Sequence, residues 1–105
     1  MNVTVRTRHG YVPASLKQEA QERLRKLERY EARPTKVHLV FEEGNDGRRV
    51  ETRLVVTGGG AIVASAVAPN FRDALDHAIR RTERQLKRKR ERSREYTAPK
   101  VMSTS

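Results

Sequence analysis

One segment, residues 70–94, limits what this chain can fold into more than any other feature of the sequence. Its largely apolar side chains recur at intervals of three and four residues, so they share one face of an α-helix. Asn70 follows Pro69 and is placed to cap the helix, and Asp73 can complete the cap. The sequence therefore predicts an amphipathic helix that begins at Asn70. Its core-facing residues are Phe71, Leu75, Ala78, Ile79, Thr82 and Leu86.

The second half of this helix carries most of the positive charge of the chain. Residues 80–94 hold nine basic and two acidic side chains, a net charge of +7, whereas the whole chain of 105 residues has a net charge of +10. The other residues hold 14 basic and 11 acidic side chains, which is close to balance. Like charges at this density repel one another unless a polyanion neutralises them, so the segment predicts contact with nucleic acid. The basic residues that fall opposite the apolar face are Arg80, Arg81, Arg84, Lys87 and Arg88.

The part of the chain before this helix predicts four strands and one further helix. Alternation of apolar and polar residues indicates the strands, and an apolar residue at every third or fourth position indicates the helix. Glycine-rich turns at 44–47 and 58–60 join the last three strands as hairpins. The predicted elements are a strand over 2–7, a helix from Pro13 to about Tyr30, and strands over 36–42, 49–57 and 61–68.

This order, β-α-β-β-β-α, predicts an α+β fold with one four-stranded sheet. Each helix has a single apolar face, so the economical packing is a two-layer sandwich with both helices on one face of the sheet. After Leu86 no large apolar residue recurs until Tyr96, so we expect the helix to leave the domain near Leu86 and to end at about Arg92. The chain then divides into a domain over 1–92 and a disordered C-terminal tail over 93–105.

Several functional classes are not expected from this sequence. There is no cysteine, and the three histidines fall on different predicted elements, which disfavours a metal site. No nucleophile motif, paired carboxylates or phosphate-binding loop is recognisable, since the glycines at 58–60 precede a strand and not a helix. No apolar run approaches the roughly 20 residues of a membrane span. We therefore expect a cytoplasmic protein that is not an enzyme, with no cofactor, metal, membrane or small-molecule substrate.

Four short motifs at characteristic spacing lie within about residues 1–92. They are Thr7-Arg8-His9, Lys26-Leu27-Glu28-Arg29-Tyr30, Phe71-Arg72-Asp73-Ala74-Leu75 and Glu83-Arg84-Gln85-Leu86-Lys87. With these motifs the chain resembles the ribosome hibernation-promoting factor family, also known as ribosome-associated inhibitors or sigma-54 modulation proteins. The resemblance implies a fold like that of the double-stranded-RNA-binding domain. It also implies binding to the small ribosomal subunit and its rRNA, in the channel for mRNA and tRNA, and a steric block of translation under stress or in stationary phase.

Long members of that family carry a further C-terminal dimerisation domain. A chain of 105 residues is too short to hold both domains, so the resemblance implies a short member of the family. Such a member is expected to be a monomer when it is off the ribosome. Pro13 departs from the threonine that caps this helix in many members, which affects the cap and not the basic surface. Whether such a protein promotes or opposes ribosome pairing, which rRNA nucleotides it contacts, what induces it and what the tail does are not fixed by the sequence.

Basic residues on three predicted elements are the candidates for RNA binding. Arginine suits this role because its planar guanidinium donates two hydrogen bonds to one phosphate. Arg25, Lys26 and Arg29 lie largely opposite the apolar face of the first helix, Arg8 follows the first strand, and Lys89 is in line with the apolar face of the last helix. The predicted RNA-binding residues are Arg8, Arg25, Lys26, Arg29, Arg80, Arg81, Arg84, Lys87, Arg88 and Lys89.

Two other functions stay open at this point. One is a general RNA-binding module that is not specific to the ribosome. Double-stranded-RNA-binding domains, however, place their lysine cluster at the start of the last helix, whereas here the charge lies at its other end. The other is a protein-interaction module that acts on an acidic partner.

Overall fold

The computed structural model describes residues 1–30 and 33–104, with side chains for 1–30 and 33–89. Its elements follow the predicted order, with a short 3₁₀ helix added after the first α-helix. They are β1 (Asn2–His9), α1 (Ala14–Arg25), the 3₁₀ helix (Lys26–Arg29), β2 (Pro34–Gly44), β3 (Gly47–Val56), β4 (Ala61–Ala68) and α2 (Phe71–Thr104). The α+β class and the order β-α-β-β-β-α are confirmed.

The four strands form one mixed sheet in the order β1-β2-β3-β4. β1 runs parallel to β2, and the other neighbours are antiparallel. A parallel pair needs a long crossover, which α1 and the 3₁₀ helix supply, whereas the antiparallel pairs need only the glycine-containing turns. No helix in the described part of the chain is both long enough and apolar enough to cross a membrane.

The core lies between one face of the sheet and the two helices. Phe41 of β2 and Phe71 of α2 meet there edge to face, with ring centroids 5.4 Å apart. Leu86 is fully buried and is the last buried residue among the described side chains of α2. We call α1, the 3₁₀ helix and its C-cap Tyr30 together the first helical segment. The main core side chains are Leu16, Leu24 and Leu27 from the first helical segment, Val37, Leu39, Phe41, Val50 and Leu54 from the sheet, and Phe71, Leu75, Ile79 and Leu86 from α2.

The first helical segment lies beside α2 and runs parallel to it. Three side-chain pairs join them, and each pair is separated by 53 residues in the chain. The constant offset means that the basic C-terminal half of α2 and the C-terminal end of the first helical segment lie at the same end of the molecule. The pairs are Arg72–Glu19 at 3.0 Å, Arg23–Asp76 at 3.1 Å and Tyr30–Glu83 at 2.9 Å.

Two boundaries differ from the prediction. β1 continues to His9, with an irregularity in its pairing after Thr7, so Arg8 belongs to the strand and not to a loop. α2 continues to Thr104, so the predicted helix end near Arg92 is wrong. Arginine, lysine and glutamate dominate residues 87–95 and are good helix formers, and each added residue contributes a hydrogen bond to a helix already nucleated. The division into a domain over 1–92 and a tail over 93–105 stays a prediction.

Candidate nucleic-acid interface

The outward side of α2 presents a ridge of cations. Ala78, Ile79, Thr82 and Leu86 are buried against the sheet, and this fixes the rotation of the helix about its axis. The residues on the far side are consequently exposed. At spacings of four and three residues along this ridge lie Arg80, Arg84 and Lys87.

The end of the first helical segment adds three exposed cations beside this ridge. Leu24 and Leu27 are buried, whereas the side chains between them and just after Leu27 point away from the core. The cations at these exposed positions are Arg25, Lys26 and Arg29. We call these three residues, together with Arg80, Arg84, Lys87 and Arg88, the helical basic surface.

Among the side chains that the structure describes, most cations of this surface have no acidic partner. Arg80 is the one that forms an ion pair within this described set, with its Nε 3.1 Å from Asp76 Oδ2. The other oxygen of Asp76 accepts a hydrogen bond from Arg23 at 3.1 Å. The cations without an ion pair among the described side chains are Arg25, Lys26, Arg29, Arg84, Lys87 and Arg88.

Glu83 is an acidic residue at the edge of the helical basic surface, and it is engaged by Tyr30. The Tyr30 hydroxyl donates to Glu83 Oε2 at 2.9 Å. Burial raises the pKa of Tyr30, and the hydrogen bond to Glu83 and its negative charge raise it further. The contact joins two of the sequence motifs in space, since Tyr30 closes one and Glu83 opens another. It holds the end of the first helical segment against α2.

Arg81 lies on the flank of α2 and not on the outward ridge. Its guanidinium donates to the backbone carbonyl of Ser65, and Gln85 donates to the carbonyl of Val63 at 3.2 Å. Both carbonyls belong to β4, an edge strand whose outer backbone groups have no neighbouring strand. Arg81 and Gln85 therefore cover this edge of the sheet. Sequence periodicity alone had placed Arg81 with the outward cations.

Lys89 turns back toward the sheet. It is half-exposed, and its Nζ lies 3.1 Å from the position that a Cβ atom would take on Gly60, in the loop between β3 and β4. Gly60 has a φ of +93°, a left-handed conformation that suits glycine. Arg88 borders the same loop region beside Ala61 and Gln85. Both cations therefore lie at the end of the molecule that holds the helical basic surface.

Arg8 is the predicted site residue that the structure separates from the rest. It lies near the C-terminal end of β1, and its guanidinium pairs with Glu42 of β2 at 3.2 Å. Parallel packing puts the starts of both helices near this end of the sheet and their basic ends at the other. The structure thus gathers nine of the ten predicted residues on and beside the helices and leaves Arg8 apart.

Arg33 is an exposed cation at the basic end that sequence reasoning missed. Its backbone N–H donates to Tyr30 O at 3.1 Å, so it directly follows the first helical segment. It adopts a left-handed φ of +51°, and its carbonyl accepts hydrogen bonds from the N–H and the hydroxyl of Thr57. In the sequence, Arg33-Pro34 indicates only the end of a helix. No local pattern predicts that Thr57, which directly follows β3, lies beside Arg33.

Residues 3–94 match the sequence model of a family described as sigma 54 modulation protein / S30EA ribosomal protein. The chain belongs to this family. The S30EA match covers the strands, the first helical segment and most of the basic part of α2, and it confirms the resemblance carried by the four motifs. No curated protein matches the chain.

Two solved structures show the same fold as this S30EA chain. The N-terminal domain of Protein Y from Thermus thermophilus superposes with a TM-score of 0.72 at 22% identity, over 84% of this chain and 98% of that one. A ribosomal subunit interface protein from Coxiella burnetii superposes with a TM-score of 0.78 at 15% identity, over 87% of this chain and 99% of that one. At these identities the similarity establishes the fold.

Proposed function

We propose that this protein is a ribosome hibernation factor. It binds rRNA of the small ribosomal subunit in the channel for mRNA and tRNA, and it blocks translation sterically under stress and in stationary phase. Membership of the S30EA family supports the proposal, as does the description of one structural relative as a ribosomal subunit interface protein. The observation that carries it is the helical basic surface.

Arginine and lysine side chains at this density match the chemistry of an RNA backbone. Six of the seven cations of the helical basic surface have no ion pair among the described side chains, so phosphate does not have to displace a described carboxylate from them. Each phosphate that a cation neutralises releases condensed counterions, and this release drives association. Arginine dominates the set, and its guanidinium can hold a phosphate through two parallel hydrogen bonds.

The contacts between the helices support the same proposal. Arg23–Asp76, Arg72–Glu19 and Tyr30–Glu83 hold the first helical segment and α2 side by side. The cations of both elements are therefore presented as one surface before RNA arrives. A surface organised in advance loses less conformational entropy on binding.

A steric mechanism predicts inhibition in proportion to occupancy. In a purified translation system, protein synthesis should fall in step with the fraction of small subunits that carry the protein, and the rRNA should stay intact. Inhibition by far less than one protein per ribosome, or cleaved rRNA, would contradict the mechanism. Translation assays run alongside sedimentation and RNA gels measure both quantities.

Comparison of three RNA targets separates the proposed function from general RNA binding. Sedimentation with small subunits, large subunits and a free RNA duplex should show preference for the small subunit. Equal affinity for all three would instead favour a general RNA-binding module. The proposal also places the protein in the cytoplasm and as a monomer when off the ribosome, which analytical ultracentrifugation of the free protein tests.

A further inference from the structure

The outer face of the sheet, which points away from both helices, holds a second group of cations. On β2, Val37 and Leu39 are buried against the helices, so Lys36 and His38 lie on the opposite face. Arg53 of β3 stands opposite His38 in the antiparallel pairing. Arg6 of β1 pairs with Val40, one position further along the same face. Arg53 therefore lies about 5 Å from His38 across the strands and Lys36 about 7 Å away along β2. Arg6 is a diagonal neighbour of His38 on β1.

No carboxylate that the structure describes neutralises Arg6, Lys36 or Arg53. The two carboxylates of the outer face are already paired, Glu42 with Arg8 at 3.2 Å and Glu51 with Arg49 at 3.6 Å. The cations of the outer face that form no ion pair with a described side chain are Arg6, Lys36 and Arg53.

The outer face carries a net positive charge, from Arg6, Arg8, Lys36, Arg49 and Arg53 against Glu42 and Glu51. Five basic and two acidic side chains on this face give a net charge of +3. Outside residues 80–94, the whole chain has 14 basic and 11 acidic side chains, which is the same excess. The net charge of the outer face thus equals the whole excess of basic over acidic residues outside residues 80–94.

We propose that the outer sheet face is a second RNA-binding surface that takes the phosphates of an RNA strand, so that the protein binds RNA on both sides at once. This inference rests on the proposed function, which supplies rRNA as the partner. The surface around His38 includes a shallow depression of about 260 Å³ lined by Arg6, Thr7, Arg8, His38 and Val40. Val40 is the single apolar member of this lining. The centre of this face is polar and cationic, as RNA interfaces typically are, and the exposed Val63 and Val67 lie at its β4 edge.

Three double variants with the same loss of charge test the inference. K36Q/R53Q removes two cations of the outer face, R84Q/R88Q removes two of the helical basic surface, and K17Q/R48Q removes two at the other end of the molecule. Lys17 is half-exposed near the start of α1, and Arg48 pairs with Glu43 near the turn between β2 and β3. Circular dichroism and thermal melting establish that each variant is folded.

Binding to small ribosomal subunits is then titrated at five salt concentrations. We expect K36Q/R53Q to bind about three- to tenfold more weakly than the control K17Q/R48Q, with a salt slope shallower by about one to two. If K36Q/R53Q behaves like the control while R84Q/R88Q is weaker, the second surface is excluded and the proposed function stands. If all three behave alike, both the proposed function and the second surface are excluded.

Photocrosslinking identifies the partner of the outer face and does not depend on the folding of a charge variant. With p-benzoylphenylalanine at position 38, irradiation of the complex with small subunits should attach the protein to rRNA. Attachment only to a ribosomal protein would overturn RNA as the occupant, and so would the absence of any cross-link in a complex shown to be intact by sedimentation.

Discussion

At the scale of single residues, two buried threonines join α2 to the sheet. The hydroxyls of Thr52 and Thr82 lie 2.6 Å apart, and both side chains are fully buried. Each hydroxyl also faces a backbone carbonyl, Thr82 that of Ala78 at 2.9 Å and Thr52 that of Ala64 at 3.5 Å, and either hydroxyl can donate to the other. The pair fixes the contact between β3 and α2 where the basic half of the helix begins.

Removing both hydroxyls should cost less stability than the sum of the costs of removing each one alone. We expect T82V and T52V each to lower the free energy of unfolding by about 1–2 kcal/mol. Each substitution removes the hydrogen bond between the two hydroxyls and leaves the remaining buried hydroxyl without this partner. The double variant T52V/T82V should lose less than the sum, since both polar groups are then gone. Urea unfolding of the four proteins measures this coupling, and strict additivity would contradict it.

Tyr30 gives a second prediction at this scale. Its pKa is raised above the ordinary value of 10.0, chiefly by burial and then by Glu83. The unfolded chain therefore loses the phenolic proton at a lower pH than the folded chain. The contribution of the protonated Tyr30 phenol to stability is complete below about pH 10, and it is lost as the pH rises through the pKa of Tyr30 in the folded protein.

Thermal melts across this range test the role of Tyr30. Between about pH 9.5 and 11 the wild type should lose more stability than Y30F does. Tyr11 is 81% exposed, so Y11F should follow the wild type and serves as the control. Equal pH dependence of Y30F and Y11F would show that the Tyr30 phenol does not contribute.

At the scale of elements, the start of α2 was predictable because its signals are local. Asp73 N–H donates to Asn70 Oδ1 at 2.8 Å, which is the cap that the sequence indicated. The side-chain amide of Asn70 donates in turn to Asp73 Oδ2 at 3.1 Å. The buried face of the helix followed from its period. The bond from Arg81 to β4 could not be predicted in this way, because it depends on which strand lies at the sheet edge beside α2.

The end of α2 leads to a prediction about stability. Leu86 is the last buried side chain among those described, and Pro99 lies within the helical range but has no N–H to donate. A protein that ends at Arg92 should therefore melt within a few degrees of the full chain, as differential scanning calorimetry can establish. A much larger loss would mean that residues 93–105 contribute to the folded domain.

At the scale of the whole molecule, the topology decides where the charge goes. The sequence was sufficient to predict the two-layer sandwich and the polycationic helix, since both follow from periodicity and charge. It was not sufficient to separate Arg8 from the other cations, because that depends on the parallel pairing of β1 with β2. Nor did it reveal the outer face, since Arg6, Lys36 and Arg53 come together only through strand register.

The central claim is that the helical basic surface is the site that binds rRNA. The salt dependence of binding tests this claim most directly. The affinity of R84Q/R88Q and K17Q/R48Q for small ribosomal subunits is measured from low to high salt. Both variants lose two positive charges, so a difference between them reports position and not net charge. We predict weaker binding for R84Q/R88Q, with a slope of log K against log salt that is shallower by about one to two than that of K17Q/R48Q. Identical slopes and affinities for the two variants would contradict the claim.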